Sequence, residues 1–143
     1  MSTDENKAVV RRAYDLLNTG GASAFDELIA PGMVMHPRGR ADVMGIEAYR
    51  SYYAALRSAL PDQRWTLEDQ VAEGDLVATV WTFRGTHRGE LMGIAPTGKE
   101  VTVTGMSLFR LADGKIAENW VQSDLLGLLQ QLGAIPTPSQ AGR

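Results

Sequence analysis

The sequence predicts an α+β fold: a cone-shaped barrel in which a strongly twisted antiparallel sheet wraps around N-terminal helices. Three observations lead there. Helical periodicity prevails up to Leu60, and a period of two prevails from Gln63 to Asp124. Tight dipeptide turns at Gly74-Asp75 and Asp113-Gly114, with a glycine-rich loop between them, join the period-two stretches, which makes a meander of neighbouring strands rather than parallel βαβ units. A twisted sheet with helices against one face makes a cone and encloses space between the layers.

Ser2 and Glu5 have capping-box spacing, so the first helix starts there. Val9, Val10, Ala13, Tyr14, Leu16 and Leu17 form its apolar stripe, and Gly20-Gly21 stops it. Tyr14 lies on that stripe, either as a core tyrosine or as a pocket residue. Ser23 and Asp26 suit the start of a second short helix carrying Phe25, Leu28 and Ile29, ended by Pro31-Gly32. Met33 to His36 alternates as a short strand, followed by a loop from Arg38 to Gly45. His36 is one of 2 histidines. A lone histidine is more often structural, but an imidazole titrates near neutral pH, so His36 is a pocket candidate. The third helix spans Ile46 to Leu60, with Ile46, Tyr49, Tyr53, Leu56 and Leu60 on one face.

Arg64 to Glu73 and Leu76 to Thr86 are strands joined by Gly74-Asp75. Val77, Thr79, Trp81 and Phe83 share one face of the second. The glycine-rich loop Gly85 to Gly98 holds His87 and Met92. It is no phosphate loop, since no Lys-Ser/Thr pair and no helix follow its glycines. Lys99 to Leu111 is the next strand, with Ser107 and Phe109 on the face opposite Met106. Asp113-Gly114 turns the chain into the closing strand.

The stretch from Lys115 to Gly133 organises the rest. Ile116, Glu118, Trp120, Gln122 and Asp124 alternate with Ala117, Asn119, Val121 and Ser123. The first set mixes an aromatic, two acids and an amide, the composition of a pocket wall rather than of a core or a wetted surface. Leu125, Leu126, Leu128, Leu129 and Leu132 then suit a short helix ended by Gly133. Asp124 is placed to face a cavity mouth, to cap that helix, or to do both.

Length and composition bound the functions available. A chain of 143 residues suits one domain, residues 1–135, with a flexible tail at 136–143. The 44% hydrophobic and 22% charged fractions are those of an ordinary globular protein. A net charge of −3 gives no footprint for nucleic acid or an anionic membrane. The absence of cysteine excludes disulfides, thiolate metal sites and a cysteine nucleophile, and fits a cytoplasmic setting. No apolar run approaches the roughly 20 residues that span a bilayer. The polar start MSTDENK does not have the form of a signal peptide.

The order of elements resembles the nuclear-transport-factor-2-like cone fold, and within it the SnoaL-like polyketide cyclases, or ester cyclases. The residues carrying the resemblance are Tyr14, Gly45 to Tyr49, the loop Arg84 to Glu90, Gly93, Pro96 to Lys99, Phe109-Arg110, Asp113 to Ile116, Glu118, Trp120, Asp124 and Gln130 to Gly133. The likeness runs from about residue 5 to 135. It implies aldol ring closure of an aromatic polyketide ester without cofactor or metal. Asp124 would be the base and Glu118 the second choice. Tyr14, Tyr53, Trp81, Met92, Met106 and Trp120 would hold the flat substrate, although each also suits ordinary core packing. Related cyclases often carry a histidine where this chain has Ser107, which can hydrogen-bond a substrate but cannot titrate near neutral pH. Asp124 then works without an imidazole partner, or the chemistry differs. Two alternatives follow: a polyketide-tailoring hydroxylase component, or a non-catalytic small-molecule binder. Asp124 and Trp120 are expected to line one internal cavity. Val80, Thr82 and Thr102, on the sheet's outer face, are expected to be covered in a homodimer or homotetramer.

Overall fold

The structure, a computed structural model, describes residues 2–136. Helix α1, Thr3–Thr19, opens with the capping box: Ser2 Oγ accepts from the Glu5 N–H at 3.1 Å, and Glu5 Oε1 accepts from the Ser2 N–H at 3.3 Å. Its C-cap, Gly20, sits at φ +74°, the left-handed conformation that glycine enters freely. Val10, Ala13 and Tyr14 are buried on its inner side.

Strand β1 is Ile29–Pro37, β2 Val43–Met44, β3 Arg64–Glu73, β4 Leu76–Thr86, β5 Glu100–Ala112 and β6 Lys115–Ser123. Helices α2, Ile46–Ala59, and α3, Leu125–Gln131, complete the layout with a short 3-10 helix, Ala22–Glu27. The six strands form one sheet in the order β2-β1-β6-β5-β4-β3. The sheet is open, with β2 and β3 at its edges. Helices α1 and α2 pack on one face, as the α+β cone requires.

Two expectations are corrected. The sheet is mixed, because β1 runs parallel to β6, from Ile29↔Ile116 to Pro37↔Val121. The segment expected as a helix through Ile29 is a 3-10 helix that ends at Glu27, and β1 then runs straight through Pro31-Gly32. The register slips between Ile29 and Val34, so Pro31 falls in a bulge where a missing N–H costs no ladder bond. The expected tail at 136–143 lies, beyond Pro136, outside the described residues.

Helix α3 closes the wide end of the sheet. Strand β6 stops pairing at Ser123↔Gly105, so the β5 backbone before Gly105 keeps β4 on one edge but has no strand partner on the other. Gln131 fills in: its Oε1 accepts from the Thr102 N–H and its Nε2 donates to the Thr102 carbonyl, both at 2.8 Å. A side-chain amide thus continues the ladder. Asp113 (φ +51°) and Gly114 (φ +77°) form the tight turn into β6. Among the described residues, no helix is long and apolar enough to cross a membrane.

Candidate active site

The inner face of the sheet is set by alternation on β4 and β5 and by one bulge on β6. Val77, Thr79, Trp81 and Phe83 point inward from β4; Val101, Val103, Ser107 and Phe109 do so from β5. On β6 the register slips between Leu111↔Ile116 and Arg110↔Glu118, leaving Ala117 as the extra residue. Ile116 faces inward, and after the slip Asn119 and Val121 do too. Strict alternation from Ile116 therefore gives the wrong wall. Glu118, Trp120 and Gln122 face outward, and the face of Asn119, Val121 and Ser123 lines the cone.

The cone holds two small chambers that share Tyr53, Trp65, Trp81 and Val121 as walls. The outer chamber, with about 80 Å³ of free volume, opens between α2, α3 and the Leu91-Met92 loop. The inner one, about 20 Å³, reaches Tyr14, Ser107, Phe109 and Asn119. An aromatic chain lines both: Trp65 lies 5.0 Å from Trp81, 4.7 Å from Phe83, 6.2 Å from Tyr53 and 6.0 Å from Tyr14, between ring centroids. The tilted and edge-on packing is the favoured geometry for such rings. At the mouth, Arg40 Nη1 donates to the Tyr52 hydroxyl at 3.2 Å, with its guanidinium carbon 5.2 Å from the Tyr52 ring centroid.

Polar groups gather at the inner end. The Tyr14 hydroxyl and Thr79 Oγ1 are hydrogen-bonded at 3.0 Å, and Trp81 Nε1 donates to Ser107 Oγ at 2.9 Å. Burial pushes the Tyr14 phenol up to about 12, against the pull of hydrogen bonds to Thr79 and Ser107. Burial raises Tyr49 and Tyr53 as well. These phenols therefore stay protonated at neutral pH and are not bases. Among the described residues, no carboxylate and no imidazole lines either chamber.

The residues singled out from sequence divide into three groups. Tyr14, Tyr53, Trp81, Met92 and Ser107 line the cone. His36, Glu118, Trp120 and Met106 are instead on the opposite face of the sheet, against expectation. The cause is the β6 bulge for Glu118 and Trp120, cross-strand pairing with Trp120 for His36, and plain alternation opposite Ser107 for Met106, which is 62% exposed. There His36 Nε2 meets Glu118 Oε2 at 2.7 Å and Nδ1 meets Asp42 Oδ1 at 3.1 Å. The His36 ring stacks on Trp120 with centroids 5.5 Å apart. Arg110 Nε donates to Glu118 Oε1 at 3.3 Å. The hydrogen bond to His36 holds Glu118 below the usual carboxylate range, and the bond to Glu118 raises His36.

Asp124 is on the rim. It is exposed, and its Oδ1 accepts from the Gly127 N–H at 2.9 Å, which caps α3. It does not line the cone with Trp120, but its chain neighbours Ser123 and Leu125 both line the outer chamber. Sequence reasoning missed Trp65, Arg40 and Asn119 as lining residues. The alternation that made Ser107 inward also marks Thr79, and the bulge concealed Asn119. Among the described residues no group of three or more His, Cys, Asp or Glu side chains could hold a metal ion.

A curved sheet packed by helices around an aromatic chamber defines the class: a cone-fold α+β protein with an internal cavity. Comparison with known proteins refines this. The sequence profile of the SnoaL-like polyketide cyclases matches residues 7–132. The aklanonic acid methyl ester cyclase DnrD of Streptomyces peucetius is 30% identical over 140 residues, covering 94% of each chain. A crystal structure of a candidate SnoaL-like polyketide cyclase from Jannaschia sp. CCS1 superposes with a TM-score of 0.86 at 28% identity, over 94% of this chain and 95% of that one. AclR of Streptomyces galilaeus, a candidate hydroxylase, superposes with a TM-score of 0.85 at 29% identity, over 95% of this chain and 85% of that one. The chain belongs to the SnoaL-like polyketide cyclase family.

Proposed function

We propose that this protein is an ester cyclase that closes a ring within an aromatic polyketide ester by aldol chemistry, with Asp124 as the base. The observation that carries the reading is the aromatic cone itself, polar groups at its blind end and a carboxylate on its rim, in a chain 30% identical to an aklanonic acid methyl ester cyclase. The flat rings of the substrate lie against Trp65, Trp81 and Tyr53. Its reactive ester end stays at the rim. The Asp124 carboxylate takes a proton from the carbon between the ester carbonyl and the ring system. The resulting enolate attacks a ketone of the same molecule, forming one carbon–carbon bond, and the new alkoxide takes the proton back. The product is an isomer of the substrate. Held in a folded pose, the two reacting carbons gain the advantage of an intramolecular reaction. Small-molecule pockets usually measure about 300–1,000 Å³, so the substrate parts the mouth at Arg40, Tyr52 and Met92 as it enters.

The test is direct. Incubation of the protein with an aromatic polyketide methyl ester should yield a ring-closed isomer of unchanged mass, resolved from the substrate by chromatography. Unchanged substrate would refute the reading. A second reading, a non-catalytic binder, is favoured by one observation: among the described residues neither chamber is lined by a carboxylate or imidazole. Tight binding without ring closure would support it.

The same reading includes assembly. The outer face of the sheet carries a groove of about 550 Å³ bordered by Val71, Val80, Met106, Leu108 and Trp120. Val71 is 66% exposed and Met106 62%. A second copy covers that face, giving a homodimer. Thr82, expected to be open there, is instead buried and donates to Glu68 Oε1 at 2.9 Å, so it contributes little to such a contact.

A further inference from the structure

We propose that Asn119 selects for a hydroxyl on the leading ring of the occupant, its carboxamide oxygen accepting a hydrogen bond from a phenolic or enolic O–H. The inference rests on the reading of the cone as an aromatic binding site and names what its blind end recognises.

Asn119 is 1% exposed, lies on the inward face of β6, and lines the inner chamber. Its Oδ1 is buried and has no hydrogen-bond partner among the described residues. Buried side-chain oxygens are nearly always paired, and leaving one unpaired costs about 1–3 kcal/mol. A leucine would fill the same volume without that cost. The polar neighbours do not relieve it. Tyr14 is bonded to Thr79, and Trp81 to Ser107. The chamber has about 20 Å³ free, and one oxygen-sized group needs about 10–15 Å³. What enters must be a donor, because the amide oxygen only accepts. A ketone or a methyl ether leaves Oδ1 unsatisfied; a hydroxyl satisfies it. The route in is apolar and aromatic, so the hydroxyl arrives on an aromatic ring.

The experiment is equilibrium dialysis of two matched probes, 1-naphthol and 1-methoxynaphthalene, against the wild-type protein, Asn119→Leu and Asn119→Ala. The second variant keeps the comparison open should the first fail to fold, and thermal melts report folding for both. Wild type should bind the naphthol about 10-fold more tightly, the scale of one neutral hydrogen bond. Both variants should bind the two probes within about two-fold of each other, since the selecting acceptor is gone. Equal binding of both probes by wild type, as a resident water on Asn119 would give, overturns the inference while the aromatic site stands. Selectivity that survives in the variants overturns it too, by locating the acceptor elsewhere. If neither probe binds, the aromatic site and the inference fall together.

Discussion

The indole of Trp81 occupies the space that a side chain on its cross-strand partner Gly105 would need. A Cβ on Gly105 would lie 2.3 Å from Trp81 Cζ2 and 2.5 Å from Cη2. Real side-chain carbons essentially never approach that closely, so the missing side chain on β5 is what lets the Trp81 ring lie across the sheet as a cavity wall. The same placement brings Nε1 to Ser107 Oγ. Gly105→Ala should therefore destabilise the fold by about 1–3 kcal/mol, the usual cost of overpacking a core. Denaturant unfolding measures it, and a shift in tryptophan fluorescence should accompany it. An unchanged midpoint would mean that the Trp81 ring is not fixed by this contact.

The cluster on the opposite face makes a pH prediction. Folding raises His36 above its reference value of 6.5. Its contribution is thus complete below pH 6.5 and fades as pH rises through the folded value. Folding lowers Glu118 below 4.5, so its contribution is complete above pH 4.5 and fades as pH falls through the folded value. The pair stabilises most between these two reference values. Both groups are partly exposed, so the effect is small. NMR titration of the His36 ring should give a midpoint above 6.5, and Glu118→Gln should bring it back toward the reference.

Assembly is tested at Met106. Met106→Glu puts a charge at the centre of the exposed apolar groove on the outer sheet face. Sedimentation should show a homodimer for the wild type and a monomer for the variant at micromolar concentration, with melting little changed at low protein concentration. A wild-type monomer, or a variant that still dimerises, would contradict sheet-to-sheet pairing.

Gly127 tests the seat of the rim carboxylate. A Cβ there would come within 2.2 Å of Asp124 Oδ2. Gly127→Ala should displace the carboxylate and lower turnover. Helix α3 should remain, because alanine favours a helix interior over glycine by about 1 kcal/mol. Circular dichroism and a rate measurement on the same sample separate the two effects.

Much of the fold was legible because its signals are local. The Ser2/Glu5 capping box, the Asp113-Gly114 turn and the inward Val77, Thr79, Trp81 and Phe83 alternation each read directly. The parallel pairing of β1 with β6 did not, since it depends on residues far apart in sequence. The site was less legible for a single physical reason. One extra residue at Ala117 reverses the side-chain phase of β6, so the acid-and-aromatic face faces outward and Asn119 faces inward. Nothing local marks that bulge: the residue is an alanine, not a glycine or proline. Pro31-Gly32 misled in the opposite sense, as a helix stop that is really a strand bulge.

The central claim, that Asp124 is the base of a ring-closing enzyme, is tested most directly by the turnover of Asp124→Asn with an aromatic polyketide methyl ester. Asparagine is as good an N-cap as aspartate, so α3 keeps its cap and the protein its stability. Only the base is removed. Turnover should fall by roughly 10²-fold or more while affinity for the ester changes little, because loss of a general base acts on the chemical step. Asp124→Asn turnover near the wild-type rate would contradict the account.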